Sequence, residues 1–369
     1  MELLRSGCDI AVTHKTLLNS TEETIRLIRE KQYTLLLDEA PDLVEPYTFD
    51  GVTDVRSGRA SRDTIENLVQ SHHIEIDPET QQVQWIGPRW AIFGEMEKLC
   101  KQGRLFAVKT EYLVRVFPAS FFYAFEEVYV FSYLFQGTFM SRYLAYFQIP
   151  YERYSVAQDE NGRYRITEYD READLAYRKR IAGLITITGC DHLYPGSALS
   201  KAWYTGKRAK KRIEELRGKM GHFFRQTASA HAKEVMWTCY AEVEKDMQFA
   251  GYVRTRQLNP EEQALTKQRK EEVKKKLKCF VPCNARGTNI YQDRSVLAYC
   301  INLYPPPEMT KFFGQREDTE RTDLRVYALQ SLVQWIFRSR IRSDRPILLY
   351  LPSERMEKVL RDWLAGDLL

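Results

Sequence analysis

Short aliphatic and aromatic runs alternate along this chain with longer stretches in which apolar residues recur at helical spacing, the pattern of strands alternating with helices. Residues 34–37 are all apolar or β-branched, which predicts a central parallel strand buried on both faces, ending in Asp38 and Glu39. A short strand at 9–13 (DIAVT) and a helix at 22–31 precede it, so a β-α-β order is set early. Beyond it the pattern predicts a helix at 64–70, a hairpin at 74–86 turning at Pro78, a helix at 90–102, a strand at 106–108 and a helix at 119–125. Residues 127–135 (EVYVFSYLF) give the strongest strand signal of the first half; a turn at Gln136-Gly137-Thr138, a helix at 141–147 and a strand at 151–156 follow.

In the second half, residues 157–178 are highly charged and broken by Asn161-Gly162, which marks a linker. A helix opened by KRAKKR (207–212) runs to about 226, and 234–240 (EVMWTCY) is a buried strand. The Lys- and Glu-rich stretch 260–278 reads as an exposed helix or helical pair. Further strands lie at 279–283, 295–303 and 346–351, with an amphipathic helix at 326–342 before the last. This alternation predicts an α/β fold of two domains with mainly parallel sheets, residues 1–156 and 181–369, joined by a linker at 157–180.

A chain of 369 residues is long enough for two cores, and 44% hydrophobic with 28% charged residues describes an ordinary globular protein. The most apolar window, 116–135, is interrupted by Glu126 and Glu127, so no membrane span is expected. Seven cysteines without a CxxC pair, behind no signal peptide, point to a reducing compartment, the cytoplasm. Cys190 with His192, or Cys279 with Cys283, would make an unusual metal site; buried free thiols are the simpler reading. The net charge of +5, with positive residues clustered, mildly favours a polyanionic partner. KRAKKR itself is open to two readings, a solvated helix face or a phosphate-contacting patch.

Asp38 and Glu39 fall at the carboxyl end of their strand, the edge at which open α/β sheets bind ligands. In a nucleotide-hydrolysing domain the first acid at such a position holds Mg²⁺, usually through water, and the second can orient or deprotonate the attacking water. The plainer alternative is a strand ending in Asp-Glu that only starts a turn or caps a helix.

Four stretches in one order, IAVTHKTLL (10–18), LLLDEA (35–40), NARGTNIYQDRSVLAY (284–299) and QWIFRSRIR (334–342), resemble the superfamily 2 helicases, which include DEAD/DEAH-box proteins and type III restriction motors. The likeness is closest to a helicase-like family of phages and mobile elements of Gram-positive bacteria, and it covers nearly the whole chain. It implies two RecA-like domains, ATP and Mg²⁺ as cofactors, and a nucleic-acid partner, DNA sooner than RNA. By this resemblance Asp38 sits on Mg²⁺ and Glu39 on the lytic water, while Thr13, His14 and Lys15 touch the nucleic-acid backbone. SYLFQGT (132–138) takes the place of the Ser-Ala-Thr motif without matching it.

ARGTN is similar to A-x-RG-x-D, with Asn289 in place of the usual acid. The resemblance puts Asn284, Arg286 and Thr288 on nucleic acid, and Gly287 and Asn289 at the nucleotide; Gly287 also suits a tight turn with close backbone approach. QWIFRSRIR resembles Q-x-x-G-R-x-x-R, whose arginines reach the γ-phosphate: Gln334 and Arg338 fit, Ile341 stands where the second arginine is due, and Arg342 follows it. An i, i+4 spacing would set Arg338 and Arg342 on one helical face.

No G-x-x-x-x-G-K-[ST] phosphate loop occurs anywhere in the sequence; Gly206-Lys207 and Gly218-Lys219 lack its spacing. The first domain is therefore expected to be N-terminally incomplete, through a truncated reading frame, a split gene whose partner supplies the loop, or degeneration. The expectation is an ATP-dependent DNA helicase or translocase with little or no ATPase activity of its own. The alternative is a non-catalytic nucleic-acid-binding or accessory subunit in phage or mobile-element replication.

Overall fold

The computed structural model describes residues 1–48, 60–109, 111–189, 193–285, 289–315 and 323–369, with backbone alone at 60–62. The fold is α/β, with parallel strand pairs in each of two compact units. Unit 1 comprises Met1–Tyr151 and Pro305–Asp323; unit 2 comprises Glu152–Tyr304 and Leu324–Leu369.

Unit 1 carries β1 (Leu35–Asp38), β2 (Val44–Tyr47), β3 (Ile74–Ile76), β4 (Val83–Trp85), β5 (Leu105–Val108), β6 (Tyr112–Val116) and β7 (Val128–Phe131). Among the described residues β1 pairs with β7 alone, in parallel, with Leu35 opposite Val128 and Asp38 opposite Phe131. The order β2-β6-β5 forms an antiparallel sheet, and β3-β4 is the expected hairpin around Pro78.

The expectation of a central strand buried on both faces is corrected. Leu35 and Leu37 enter the core, but Leu36 is 64% exposed, the alternation of a strand covered on one side only. Residues 9–13 form no strand either. Thr13 caps the short helix His14–Leu18, its hydroxyl accepting the Thr16 N–H at 3.2 Å, and capping takes the segment that β-propensity had claimed.

The core of unit 1 is aromatic. Phe106, Phe117, Phe121, Phe122, Tyr143 and Tyr146 pack together, and the helix Pro307–Phe313 adds Met309, Phe312 and Phe313 from far along the chain. Phe312 lies 4.7 Å from Tyr146 in a stacked arrangement and 6.0 Å from Phe106, edge-on. Polar contacts fix the same insertion: Lys311 pairs with Glu111 at 2.6 Å, and Gln315 accepts the Lys109 N–H and donates to the Ala107 carbonyl. A second, smaller core joins Ile65, Leu68, Ile74, Val83, Met96 and Leu99.

Unit 2 carries β8 (Tyr154–Gln158), β9 (Tyr164–Glu168), β10 (Ile185–Ile187), β11 (Val235–Thr238), β12 (Val296–Tyr299) and β13 (Ile347–Tyr350). The stretch expected as a linker, 157–180, holds most of the β8-β9 hairpin and most of the helix Arg171–Ala182, which Asp170 caps. The main sheet runs β10-β13-β12-β11, all parallel, and residues 279–281 lie beside the outer edge of β11 through a Trp237–Phe280 bridge. The helix Ala209–His222 packs on one face, with Val235, Trp237, Val296 and Ala298. On the other face Trp335, from the helix Leu324–Ile336, meets Tyr299 at 5.4 Å.

The turn leaving β10 depends on Gly189, whose φ is +75° and whose position would bring a Cβ within 2.6 Å of the buried Phe223 ring. Gly189→Ala adds backbone strain to overpacking, an expected loss of roughly 2–3 kcal/mol. Urea denaturation followed through unit 2 measures it, and a loss below about 0.5 kcal/mol, the range of surface substitutions, would refute the account.

Candidate functional site

The carboxyl edge of the β1-β7 pair gathers polar groups from two strand ends. Asp38 closes β1 and is exposed, with no hydrogen-bond partner among the described residues. Glu39 follows in the left-handed region, φ 71°, while its N–H donates to the Phe131 carbonyl at 3.1 Å, so the turn is pinned to β7 as it leaves the sheet. A non-glycine residue in that conformation stores strain of the kind that clusters at functional sites. Ser132, the first residue beyond β7, has a buried hydroxyl with no partner among the described residues. Six residues on, Thr138 caps the helix Phe139–Tyr146 by accepting the Ser141 N–H. Two adjacent carboxylates and a hydroxyl on one edge can bind a hydrated cation and orient a water. Earlier in the chain, Thr13 is occupied as a helix cap, with His14 and Lys15 in the first turn that it starts.

In unit 2 the structure brings together two of the sequence-derived candidates. Arg342 donates to the Asn289 side-chain oxygen at 2.6 Å, and Arg345 pairs with Asp293 at 3.1 Å. Arg294, 5% exposed, donates to the carbonyls of Ala232 and Lys233, both at 2.9 Å, and its own carbonyl accepts the Arg340 N–H. Residues 232–234, 289–295 and 339–346 all immediately precede strands β11, β12 and β13, so these arginines tie the amino edge of the sheet, opposite the edge that binds ligands in such folds.

The shared helical face of Arg338 and Arg342 is corrected as well. The helix ends at Ile336, because the buried Ser339 turns its hydroxyl back to the Ile336 carbonyl at 2.7 Å and starts a 3-10 turn at Arg340–Ser343. Gln334 stays on the helix, partly buried. Asn284 is exposed where the 279–281 segment leaves the sheet at the carboxyl side, away from Asn289. Arg286, Gly287 and Thr288 lie outside the described residues, as do Cys190 and His192.

The carboxyl edge of this sheet holds groups that the motifs alone do not mark. Asn302, fully buried just past β12, donates from its amide to the carbonyls of Gly196 and Ala198 at 2.9 and 3.0 Å and accepts from Arg355 at 2.9 Å. Arg355 sits in the first turn of the helix Glu354–Ala365 and also lies over the Tyr304 ring, 4.4 Å from its centre. The only hint of this clamp in the sequence is an asparagine inside the apolar run SVLAYCINL. The helix Ala209–His222 starts from the same edge: the short helix before it is fastened there by the Tyr204 hydroxyl on the Cys300 carbonyl and by a Lys201–Glu242 ion pair.

Lys207, Arg208, Lys210 and Lys211 are exposed at its start, with no ion pair among the described residues. Two turns on, Lys219 pairs with Glu215 at 2.8 Å, and this hydrogen bond holds the Glu215 carboxyl below the usual carboxylate range. The lysine ammonium also lies 4.8 Å from the Tyr194 ring centre.

Among the described residues no group of three or more His, Cys, Asp or Glu is placed to hold a metal ion, and no helix is long and apolar enough to cross a membrane. Burial pushes the Cys100 thiol up to about 12 and Cys279 to about 11, which leaves both unreactive at neutral pH.

Comparison with known proteins places the second half of the chain. Residues 179–364 match the family described as the YonV C-terminal Rossmann-like domain. The chain is also similar to the SPbeta prophage-derived uncharacterized protein YonV of Bacillus subtilis (strain 168): 27% identical over an alignment of 373 residues that takes in 99% of this chain and 81% of that protein. No solved structure matches. The family match runs from the helix before β10 through the helix after β13, half of the sequence, and by it the chain belongs to the family of the YonV C-terminal Rossmann-like domain.

Proposed function

We propose that this chain is a phage-type, ATP-dependent DNA translocase of helicase superfamily 2 whose phosphate loop is supplied by a further polypeptide segment, so that alone it binds nucleic acid and turns over little or no ATP. The observation that carries this reading is the pair of acids on a bare parallel sheet. Parallel sheets are normally covered on both faces, and two strands alone are marginal, yet Leu36 and Phe131 stand 64% and 47% exposed on one face of β1-β7. A strand and helix packed there would cover both side chains. The loop following that strand would then open at the same carboxyl edge as Asp38 and Glu39.

The donor set fits a hydrated Mg²⁺, which keeps several waters and needs only one or two protein carboxylates beside substrate phosphate. Asp38 would hold the ion through water, and Glu39 would position the attacking water. ATP, when bound, supplies the phosphoryl group. No role on phosphate is assigned to Arg338 or Arg342, which lie at the amino edge of their sheet.

The exposed cations Lys207, Arg208, Lys210 and Lys211 support nucleic-acid binding in this reading and equally in a second one, a non-catalytic accessory subunit. ATP hydrolysis by the purified chain, with and without single-stranded DNA, separates the two. Little turnover is expected from the chain alone. DNA-stimulated turnover should appear on adding a segment that carries the phosphate loop, and should vanish in Glu39→Gln. DNA binding without any restored turnover would leave the accessory subunit; no DNA binding at low salt would sink both.

A further inference from the structure

The small core of unit 1 exposes an aromatic surface that nothing in the ATP site uses. It is built on the β3-β4 hairpin and the turn after it: ring centres of His73 and Trp90 are 5.0 Å apart, those of Trp90 and Phe93 5.2 Å, and those of His73 and Trp85 5.8 Å. Trp90 is thus held from two sides, yet it remains 47% exposed, beside Ile86 and Ile92 at 51% and 59%. Gly87 makes the close packing possible, since a Cβ there would come within 2.8 Å of the His73 Cα. An indole fixed by its neighbours and still open to solvent loses little freedom when a flat partner lands on it.

Charge narrows the choice of partner. Arg89, next to Trp90, is exposed and makes no ion pair among the described residues, and His72 is exposed behind the same turn. An exposed indole whose neighbour in sequence is an exposed arginine suits a base joined to a phosphate, and stacking of this kind accepts every base.

We propose that Trp90, backed by His73 and Phe93 and flanked by Arg89, is a stacking platform for the bases of single-stranded nucleic acid. This rests on the nucleic-acid-binding reading above and adds to it a preference for unpaired strands. A duplex keeps its bases stacked on one another and gains nothing from the indole.

The test is fluorescence anisotropy of labelled oligo-dT and of a labelled duplex, titrated with the wild-type chain, Trp90→Ala, Trp90→Phe and the double variant Lys210→Ala/Lys211→Ala, at several salt concentrations. Stacking is worth ~1–3 kcal/mol per base, so Trp90→Ala should weaken single-strand binding roughly 5- to 150-fold. Its salt dependence and its duplex affinity should stay as in the wild type, and Trp90→Phe should recover most of the loss. The lysine variant should instead flatten the salt dependence, by ~0.9 in slope for each duplex phosphate that is no longer neutralised.

Wild-type single-strand affinity in Trp90→Ala, beside a weakened lysine variant, overturns the platform and leaves nucleic-acid binding standing. Equal losses on single strand and duplex would also overturn it, as would loss in a Trp90→Ala chain whose thermal transition shows unit 1 unfolded while Trp90→Phe, folded, binds as weakly. A wild-type chain that binds neither probe removes both readings.

Discussion

Phe312→Ala is expected to destabilise unit 1 by about 3–5 kcal/mol while leaving the unfolding of unit 2 unchanged. The sequence puts Phe312 between β12 and β13 of unit 2, but its ring is fully buried in the aromatic core of unit 1, stacked on Tyr146 and edge-on to Phe106 and Phe313. Alanine leaves a cavity that the surrounding rings cannot close, because they already interlock: Phe121 touches Phe117, Phe122 and Phe125, and Tyr143 touches Phe147. Phe312→Leu keeps most of the volume and should lose less. Two-probe urea denaturation checks this, and a change confined to unit 2 would show that the helix belongs with its sequence neighbours instead.

Asn302→Leu is the second large effect, about 2–5 kcal/mol in unit 2, from the loss of three part-buried hydrogen bonds at once. The amide of Asn302 satisfies the Gly196 and Ala198 carbonyls and gives Arg355 an acceptor. Leucine of similar size removes all three bonds without opening a cavity, so the loss is read as hydrogen bonding and not as packing. The Arg355 guanidinium keeps the Leu303 and Leu324 carbonyls, which bounds the damage. Wild-type stability in the Asn302→Leu variant, measured by the same urea denaturation, would mean that the 196–199 loop is held by its backbone alone.

Much of this was legible in the residues. The parallel strand ending in Asp38-Glu39, the hairpin at Pro78 and the strands β11, β12 and β13 follow from runs of two periods and from local turn chemistry, whereas β9 and β10 are too short and polar to stand out. What escaped was decided elsewhere in the chain. Nothing in residues 34–37 tells that one face has no cover, since burial depends on what is packed outside the strand. The helix holding Gln334 stops short because one hydroxyl, that of Ser339, competes for a backbone carbonyl, an event too local for periodicity to register.

The run Pro305-Pro306-Pro307 stands between β12 and the next helix, and nothing in it tells that the piece after it joins the other core. Of the candidate site residues, Asn289 and Arg342 meet as a pair; what the sequence did not say is that they meet on the amino edge. The platform around Trp90 was missed because tryptophan spacing does not reveal exposure.

The order in which the chain is made sets a problem for its first core. Residues up to Tyr151 emerge well before Phe312 and Phe313, and at ~5–20 residues per second the wait for those two rings is on the order of ten to thirty seconds. During that interval Phe106, Phe139 and Tyr146 lack the rings they pack against in the finished core. A cell making this protein must keep other apolar segments away from them until those rings arrive.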